Sequence, residues 1–251
     1  AKGKLFAALK QNTKSETAIG VNLDDPNSKY FLDFPATRKF GVSMREDISK
    51  PNNLMVLTAS EVQVSDHISF AIDEVKFTLQ LFGTFNVTNA LLAIACAKTL
   101  GVTLQTSAEA LANMTKVPGR MESFPAPNGA TIIVDYAPEP SAMEASLRAI
   151  KLLLPKQIIH VFGSTGGHRD VAKRFKFGEI SAGLADTIII TNDDVYDSDE
   201  NEIAKNIQEG IERVMNKKVS KVETILNRKD AIKHAFEIAW PTDVVLITGK
   251  G

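Results

Sequence analysis

Residues 158–170 read IIHVFGSTGGHRD, an apolar run that passes directly into a turn with three glycines. A short continuous apolar run that ends at glycines is typical of a strand buried on both faces of a parallel sheet. The second half of the chain contains further runs of this kind: Thr131–Val134, Thr187–Thr191, Val222–Leu226 and Val244–Thr248. We therefore predict that Ile158–Phe162 is one strand of a larger sheet.

Amphipathic helical patterns separate these strands. Apolar residues recur at spacings of three and four in the first of them: Met143, Leu147, Ile150 and Leu154. Similar spacings recur over Ile203–Val214 and Ile232–Ala239. Because strands that alternate with helices form βαβ units, we predict an α/β fold, Rossmann-like and mostly parallel, with helices on both faces of the sheet.

The first half of the chain is less regular. We predict strands over the following short segments: Thr17–Leu23, Tyr30–Phe34, Lys39–Val42, Leu54–Val64 and, as a hairpin, Ile68–Leu81. Helices are predicted over Val87–Leu100, which Gly101 would end, and around Ser107–Met114. Pro118-Gly119 interrupts the pattern, so we predict two domains, residues 1–117 and 118–251.

The composition excludes several classes of protein. The 251 residues include 29 Lys and Arg against 30 Asp and Glu, a balance that argues against a nucleic-acid partner or a membrane-surface partner. The single cysteine, Cys96, excludes an intrachain disulfide, and its place among apolar helix residues predicts a core position. No apolar run approaches the roughly 20 residues that span a bilayer. We expect a cytoplasmic protein.

Ligands of parallel sheets bind outside the carboxyl ends of the strands, so the residues that follow each strand are the candidates for chemistry. Asp135 follows the first strand of the second half. A carboxylate there is suited to accept hydrogen bonds from a ribose or to hold a cation. The alternative is a helix cap, with Asp135 or Ser141 accepting from free N–H groups.

The turn Gly163–Gly167 and the residues after it are suited to bind an anion. Glycines allow backbone N–H groups to converge, and a helix N-terminus is predicted to follow. Arg169 adds a planar guanidinium that matches a carboxylate. The alternative is an ordinary βα turn in which Arg169 pairs with Asp170 or with solvent.

An acidic stretch, Asn192–Glu200, follows the third of these strands. It would suit a cationic group or Mg²⁺, or it would supply negative charge to the N-terminus of the next helix. We assign the ligand role to Asp193 and Asp194, which lie at the strand end, and the helix role to Asp199 and Glu200. No spacing of histidines and carboxylates predicts a metal site.

Several of these segments, in order, resemble the Mur ligase family. They are Ala1–Phe6, Asn22–Asp25, Gly83–Ala90, Gly119–Glu122, Asp135–Ala137, the Gly-Gly-His-Arg-Asp sequence 166–170 with Lys173 and Arg174, and Gly249–Gly251. The resemblance is closest to the branch that adds the third residue of the peptidoglycan stem peptide, the UDP-N-acetylmuramoyl-tripeptide synthetases.

The resemblance implies a three-domain enzyme, of which this chain would be two partial domains. Residues 1–117 would be the C-terminal portion of the P-loop-type central ATPase domain, and residues 118–251 the Rossmann-like C-terminal domain. The last strand is followed by no helix, so we expect truncation at that end, and we expect the P-loop upstream of Ala1. The implied reaction uses ATP and Mg²⁺ to join an amino acid to UDP-N-acetylmuramoyl-L-Ala-D-Glu through an acyl phosphate, and the fragment alone would be inactive.

The resemblance also implies residues that contact the nucleotide. Lys2 matches the family's carbamylated lysine, which helps to hold Mg²⁺, although as a plain residue it would be an ordinary surface lysine. Asn86 and Asn89 match a pair near the adenine. Arg120 and Asp135 match nucleotide contacts, with Asp135 on the ribose.

The incoming amino acid would meet a second set of residues. Arg169 matches the arginine that binds the carboxylate of this amino acid, and Gly249 lines the same edge. Asp193, Asp194 and Tyr196 stand where the family has its acceptor motif. In diaminopimelate-adding enzymes an arginine at the position of Tyr196 binds the distal carboxylate, so the sequence favours lysine over diaminopimelate.

Two other departures from the family pattern affect the site. Pro138 replaces the histidine of the motif Asp-Tyr-Ala-His. The turn Gly163–Gly167 is one residue longer than usual, which would shift Arg169.

Other readings of the sequence lead to different functions. One is a ligase similar to the folylpolyglutamate synthetases, and another is a binding or regulatory subunit without catalysis. A Rossmann dehydrogenase is poorly supported, because residues 135–140 have no glycine where the dinucleotide fingerprint would be.

Overall fold

The computed structural model describes residues 2–14, 16–48, 53–65, 67–167 and 169–250. Three residues of the motifs quoted above, Ala1, His168 and Gly251, lie outside these ranges. The chain divides into two compact units between Thr115 and Lys116.

The first unit combines a parallel and an antiparallel sheet of three strands each with short helices. Its elements in chain order are α1 (Gly3–Ala7), a 3-10 turn (Ala8–Gln11), β1 (Ala18–Asn22), α2 (Ser28–Leu32), β2 (Arg38–Ser43), β3 (Met55–Thr58), β4 (Ser60–Val64), β5 (Ile68–Ile72), β6 (Val75–Leu79), α3 (Phe85–Thr99) and α4 (Leu104–Ala112). Strands β1, β2 and β3 are parallel, and β4, β5 and β6 are antiparallel.

Helix α3 supplies much of the core of this unit. Its buried side includes Val87, Leu91 and Ile94, as the spacing predicted, and Gly101 after it has a positive φ of 83°. The expectation for Cys96 is wrong, because its side chain is exposed. At about 100° per residue, Cys96 falls outside the stripe that its neighbours bury.

Two strand predictions in this unit are wrong. Tyr30–Phe34 does not form a strand; most of it lies in helix α2, where Phe31 and Phe34 pack their rings against Phe6. These aromatic rings have high strand propensity, but their contacts decide the outcome. The predicted strand Leu54–Val64 is two strands, β3 and β4, which belong to different sheets.

The second unit is built on a six-stranded sheet in the order β11-β10-β9-β12-β8-β7. Its elements are β7 (Glu122–Pro125), β8 (Thr131–Asp135), α5 (Pro140–Lys151), β9 (Ile158–Phe162), α6 (Ala172–Leu184), β10 (Thr187–Ile190), α7 (Glu200–Glu212), β11 (Lys221–Thr224), α8 (Arg228–Ile238) and β12 (Val244–Thr248). All neighbouring strands are parallel except β7, which is antiparallel to β8. The predicted fold class is confirmed.

The central strands of this sheet are buried throughout. Every residue of β9, β10 and β12 is buried, which explains their continuous apolar sequences. The register joins Asp135 at the end of β8 to Thr248 at the end of β12, and Phe162 of β9 to Ile190 of β10. The carboxyl ends of four strands therefore lie at one edge.

No helix in the described ranges combines the length and the apolar character needed to cross a membrane.

Candidate functional site

A cavity of about 230 Å³ lies at the carboxyl ends of β8, β9, β10 and β12. All the residues that the sequence assigned to the incoming amino acid line it: Arg169, Asp193, Asp194, Tyr196 and Gly249. They come from three separate loops, so their meeting follows from the parallel arrangement of the strands. A shallower cavity that shares Asp193, Asp194 and Gly249 is also lined by Arg120, Tyr136 and Pro138.

Arg169 projects an unpaired guanidinium at the first cavity. Its side chain is exposed, and no residue in the described ranges forms a hydrogen bond or an ion pair with it. The alternative pairing with Asp170 is wrong: that carboxylate accepts a hydrogen bond from the Ala172 backbone N–H at 2.9 Å at the start of α6 and forms no ion pair with Arg169 in the described part of the chain. The other half of the alternative, a guanidinium in contact with solvent, agrees with the exposure of Arg169. The guanidinium is therefore available to an anion.

Two backbone amides of the glycine turn already have partners within the protein. The Gly166 N–H donates to the Asp194 carbonyl at 2.9 Å, and the Gly167 N–H donates to Ser198 Oγ at 3.0 Å. These amides are therefore not free to bind an anion. A Cβ atom on Gly166 would lie 2.1 Å from the Val195 carbonyl oxygen, so glycine allows the turn to pack closely against the loop that carries the acidic pair.

The acidic pair is already partly neutralised. Asp194 forms an ion pair with Lys250 at 2.6 Å. Thr165 donates to Asp193 Oδ2 at 3.4 Å, whereas Asp193 Oδ1 is buried with no hydrogen-bond partner in the described ranges. Burial lowers the pKa of Arg228, and attraction to Asp193 and Asp194 opposes this shift. The charge that the pair offers to a ligand is therefore smaller than the sequence suggests.

The other acidic residues of this stretch support the helix. Asp199 is the N-cap of α7 and accepts from the Asn201 N–H at 2.9 Å, and Glu200 accepts from the Asn192 side-chain amide at 2.5 Å. The assignment of Asp199 and Glu200 to the helix is confirmed.

Asp135 is buried beneath the site and lines neither cavity. Its carboxylate accepts hydrogen bonds from Ser146 Oγ in the middle of α5 and from the Met121 backbone N–H. Burial raises the pKa of Asp135, and these hydrogen bonds and the positive charge of Arg120 partly oppose the shift. Asp135 does not cap α5, because Ser146 lies beyond the first turn of the helix, so that alternative is wrong.

Arg120 stands at the rim of the shallower cavity. Its guanidinium carbon lies 4.9 Å from the centre of the Tyr136 ring, a cation–π arrangement. The turn that carries Arg120 is closed by Glu122, which accepts from the Gly119 N–H at 3.2 Å and pairs with Lys116 at 2.8 Å. Pro138 lines both cavities at the position where the family has histidine.

The two basic residues that follow Arg169 in the motif, Lys173 and Arg174, lie in different environments. Lys173 lines the first cavity and forms an ion pair with Glu139 at 2.5 Å. Arg174 is buried between α6 and α7, where it donates to the Asn206 side chain at 3.1 Å and lines neither cavity. Only Lys173 therefore adds charge to the site.

The candidate nucleotide residues of the first unit differ in availability. Asn86 is buried; its Nδ2 donates to the Phe82 carbonyl at 2.7 Å, and its Oδ1 accepts from Asn89 at 3.1 Å. Asn89 is exposed, and its Oδ1 has no partner in the described ranges. Lys2 is exposed directly before α1. Asn89 and Lys2 are accessible to a ligand, whereas Asn86 braces the start of α3.

The structure adds buried polar residues that the sequence did not assign to the site. His160 lies fully buried in β9, with Nδ1 2.8 Å from Ser181 Oγ and Nε2 2.9 Å from Thr248 Oγ1. Burial, with a smaller contribution from the positive charge of Arg228, lowers the pKa of His160 to about 3. We therefore assign His160 a structural role, because both of its ring nitrogens contact buried hydroxyl groups.

We expect His160 to make stability depend on pH. The unfolded residue has a pKa of 6.5 and the folded residue a pKa of about 3, so the unfolded state binds a proton first as pH falls. Relative to His160→Gln, which does not titrate, the wild type should lose about 1.4 kcal/mol of unfolding free energy per pH unit below about pH 6. Urea unfolding at about pH 7, 6 and 5 measures this difference; parallel pH profiles for the two proteins would contradict it.

The described residues contain no group of three or more His, Cys, Asp or Glu side chains placed to hold a metal ion.

Comparison with known families matches both halves of the chain. Residues 1–97 match the Mur ligase middle domain, and residues 119–251 match the Mur ligase, glutamate ligase domain.

Curated relatives carry related names. The chain is 34% identical over 256 residues to the UDP-N-acetylmuramoyl-L-alanyl-D-glutamate–2,6-diaminopimelate ligase of Geobacillus kaustophilus, covering 100% of this chain and 50% of the relative. It is 36% identical over 235 residues to the UDP-N-acetylmuramyl-tripeptide synthetase of a Roseiflexus species, covering 92% and 45%. The chain thus spans about half the length of the curated relatives it matches.

Solved structures give the same fold. A UDP-N-acetylmuramoyl-L-alanyl-D-glutamate–2,6-diaminopimelate ligase matches with a TM-score of 0.53 and 26% identity, over 100% of this chain and 50% of the other. The UDP-N-acetylmuramate-alanine ligase of Thermotoga maritima matches with a TM-score of 0.69 and 19% identity, over 100% and 52%.

Proposed function

The chain belongs to the Mur ligase family, and from this premise we propose that the complete protein is an ATP-dependent, ADP-forming ligase. It adds an amino acid to UDP-N-acetylmuramoyl-L-Ala-D-Glu in the synthesis of peptidoglycan precursors. The motif G-x-x-x-x-G-K-[ST] does not occur in residues 1–251, so we expect this chain by itself not to transfer the γ-phosphate.

The proposed reaction has two steps. An oxygen of the acceptor carboxylate attacks the γ-phosphorus of ATP, the bond between that phosphorus and the bridging oxygen breaks, and ADP leaves. The amine of the incoming amino acid then attacks the acyl carbon, the bond from carbon to the phosphate oxygen breaks, and inorganic phosphate leaves as the amine loses a proton. Positioning of the amine against the acyl carbon is the main contribution expected of this chain.

This proposal rests on one observation: positively and negatively charged side chains line the same small cavity. Arg169 offers a free guanidinium, and Asp193 and Asp194 contribute carboxylates from another loop. An α-amino acid is a zwitterion with one carboxylate and one ammonium group. A guanidinium that can pair with the carboxylate, and carboxylates that can pair with the ammonium, therefore match its charges. We assign Tyr196 and Gly249 to the wall of the same acceptor site.

We assign the nucleotide to two regions of the chain. In the second unit, Arg120 and Tyr136 at the shallower cavity are suited to a phosphate and a flat ring, and Asp135 supports the segment behind them. In the first unit, Asn89 is the accessible amide for adenine, and Asn86 holds Asn89 in place. Lys2 remains the lysine that we propose to be carbamylated; Mg²⁺, when bound, would neutralise charge on the phosphates.

The observations that bear on the identity of the added amino acid point in different directions. Tyr196 cannot supply the positive charge that a distal carboxylate requires, which favours lysine. The relative from Geobacillus kaustophilus is named for 2,6-diaminopimelate. Lys250 already pairs with Asp194, which weakens the case for a cationic side chain. We therefore propose that the added amino acid has a long side chain that ends in a charged group.

The experiment measures phosphate release by the complete protein, as its own cell makes it, with ATP and UDP-N-acetylmuramoyl-L-Ala-D-Glu. We expect release to depend on an added amino acid, and L-lysine and meso-diaminopimelate are compared at equal concentrations. A clear preference for diaminopimelate would contradict the lysine prediction from Tyr196. Release that neither amino acid stimulates would contradict the proposed function.

A further inference from the structure

Arg228 links two strand ends behind the wall of the first cavity. It is the first residue of α8, half-buried, and lines neither cavity. Its Nη2 donates to the Thr248 carbonyl at 2.9 Å, and its Nη1 reaches the Asn192 carbonyl at 3.4 Å. One side chain therefore contacts the residue before Gly249 and the residue before Asp193.

The two strand ends that Arg228 joins are not neighbours in the sheet. Strands β10 and β12 lie on opposite sides of β9, so no backbone ladder connects Asn192 to Thr248. A planar guanidinium can donate to two carbonyls in a fixed geometry, which an ammonium cannot. Arg228 thus supplies a connection that the sheet itself does not make.

The surroundings of Arg228 match this role. Thr248 is fully buried, and its hydroxyl contacts the buried His160, so its side chain is held as well as its carbonyl. The positive charge of Arg228 is attracted to Asp193 and Asp194, which lie directly after Asn192. Arg228 therefore binds the backbone next to the acidic pair and also attracts the carboxylates of the pair.

We propose that Arg228 is a positioning residue that sets the spacing between the Asp193–Asp194 loop and Gly249, and through it the affinity of the first cavity for the incoming amino acid. This inference rests on the proposed function for its substrate. It gives Arg228 no contact with that substrate, because the residue acts through the Asn192 and Thr248 carbonyls.

The test compares Arg228→Met with Arg228→Lys and with Lys229→Met in the complete protein. Lys229 is the exposed next residue of α8, and its side chain has no partner in the described ranges, so it is a matched control. In Arg228→Met we expect the KM for the amino acid to rise about 10-fold or more. The KM for ATP should rise less, because the shallower cavity shares the acidic loop and Gly249 but also has Arg120 and Tyr136 in its lining. Arg228→Lys should recover part of the loss because it retains the charge, and Lys229→Met should match the wild type.

A second readout does not depend on activity. Amide hydrogen exchange should become faster at Asn192 and Gly249 in Arg228→Met and stay unchanged in Lys229→Met. If the wild type shows no ligase activity, the proposed function fails, and the exchange data still decide whether Arg228 positions these loops. Unchanged exchange, or an equal rise of both KM values, would overturn the inference.

Discussion

We expect the replacement of Arg169 with methionine to lower kcat/KM for the incoming amino acid by about 100-fold. A bidentate, charge-assisted pair with a carboxylate contributes up to about 3 kcal/mol, and each 1.4 kcal/mol corresponds to about tenfold. We expect Arg169 to bind the substrate carboxylate, because its guanidinium lines the first cavity and has no partner in the described ranges. Steady-state kinetics of the complete protein, with the amino acid as the varied substrate, measure the effect.

Arg148→Met is the matched control for this substitution. Arg148 pairs with Glu144 on the exposed side of α5 and lines neither cavity. A surface pair of this kind contributes at most about 1 kcal/mol to stability, so its loss should leave kcat/KM within about 2-fold. If Arg169→Met resembled Arg148→Met, the assignment of Arg169 to the substrate carboxylate would be wrong.

We expect the replacement of Gly178 with alanine to lower the free energy of unfolding by about 3 kcal/mol or more, because α6 and α7 cross too closely for a side chain. A Cβ atom on Gly178 would lie 2.1 Å from the Ile207 carbonyl oxygen. Gly210 on the other helix is similarly placed, with its Cβ atom 2.1 Å from the Phe175 carbonyl oxygen. Urea unfolding followed by circular dichroism measures the loss.

Gly183→Ala tests the same substitution on the same helix without the crowding. Apart from its chain neighbours and the backbone of the same helix, no heavy atom of the described residues lies within 4 Å of a Cβ atom at this position. Because alanine favours helix over glycine, this variant should gain about 0.5–1 kcal/mol. Equal urea midpoints for Gly178→Ala and Gly183→Ala would contradict the crowding argument.

Close packing of these helices is relevant to the site as well as to stability. Helix α6 follows directly on the segment that carries Arg169, and α7 follows the loop that carries Asp193 and Tyr196. A shift in the crossing would therefore move the two sides of the first cavity relative to each other. For this reason we expect Gly178→Ala to impair amino-acid binding in whatever fraction of the protein remains folded.

Burial determined which elements the sequence could predict. The predicted bounds of Ile158–Phe162 and Val244–Thr248 agree with the structure because fully buried strands have continuous apolar sequences. Strand β7 was not predicted; it is an exposed edge strand that ends at Pro125, so it has no apolar pattern. Leu154 was assigned to the helical pattern of α5 but is exposed beyond the end of the helix.

The candidate site was predictable to the extent that it follows strand ends. Arg169, Asp193 and Gly249 meet at one cavity because parallel strands bring their carboxyl ends together. Arg228 was not predictable, because its two acceptors are backbone carbonyls far apart in sequence. The pairing of Lys250 with Asp194 was not predictable either, since it requires the geometry of the loops.

We propose that the complete protein activates a carboxylate as an acyl phosphate before an amine attacks it. The most direct test supplies UDP-N-acetylmuramoyl-L-Ala-D-Glu with oxygen-18 in its acceptor carboxylate and analyses the released phosphate by mass spectrometry. We expect the phosphate formed with the amino acid to carry one labelled oxygen, taken from the carboxylate. Phosphate without the label would mean that water, and not the carboxylate, accepts the phosphoryl group, and it would contradict an acyl-phosphate intermediate.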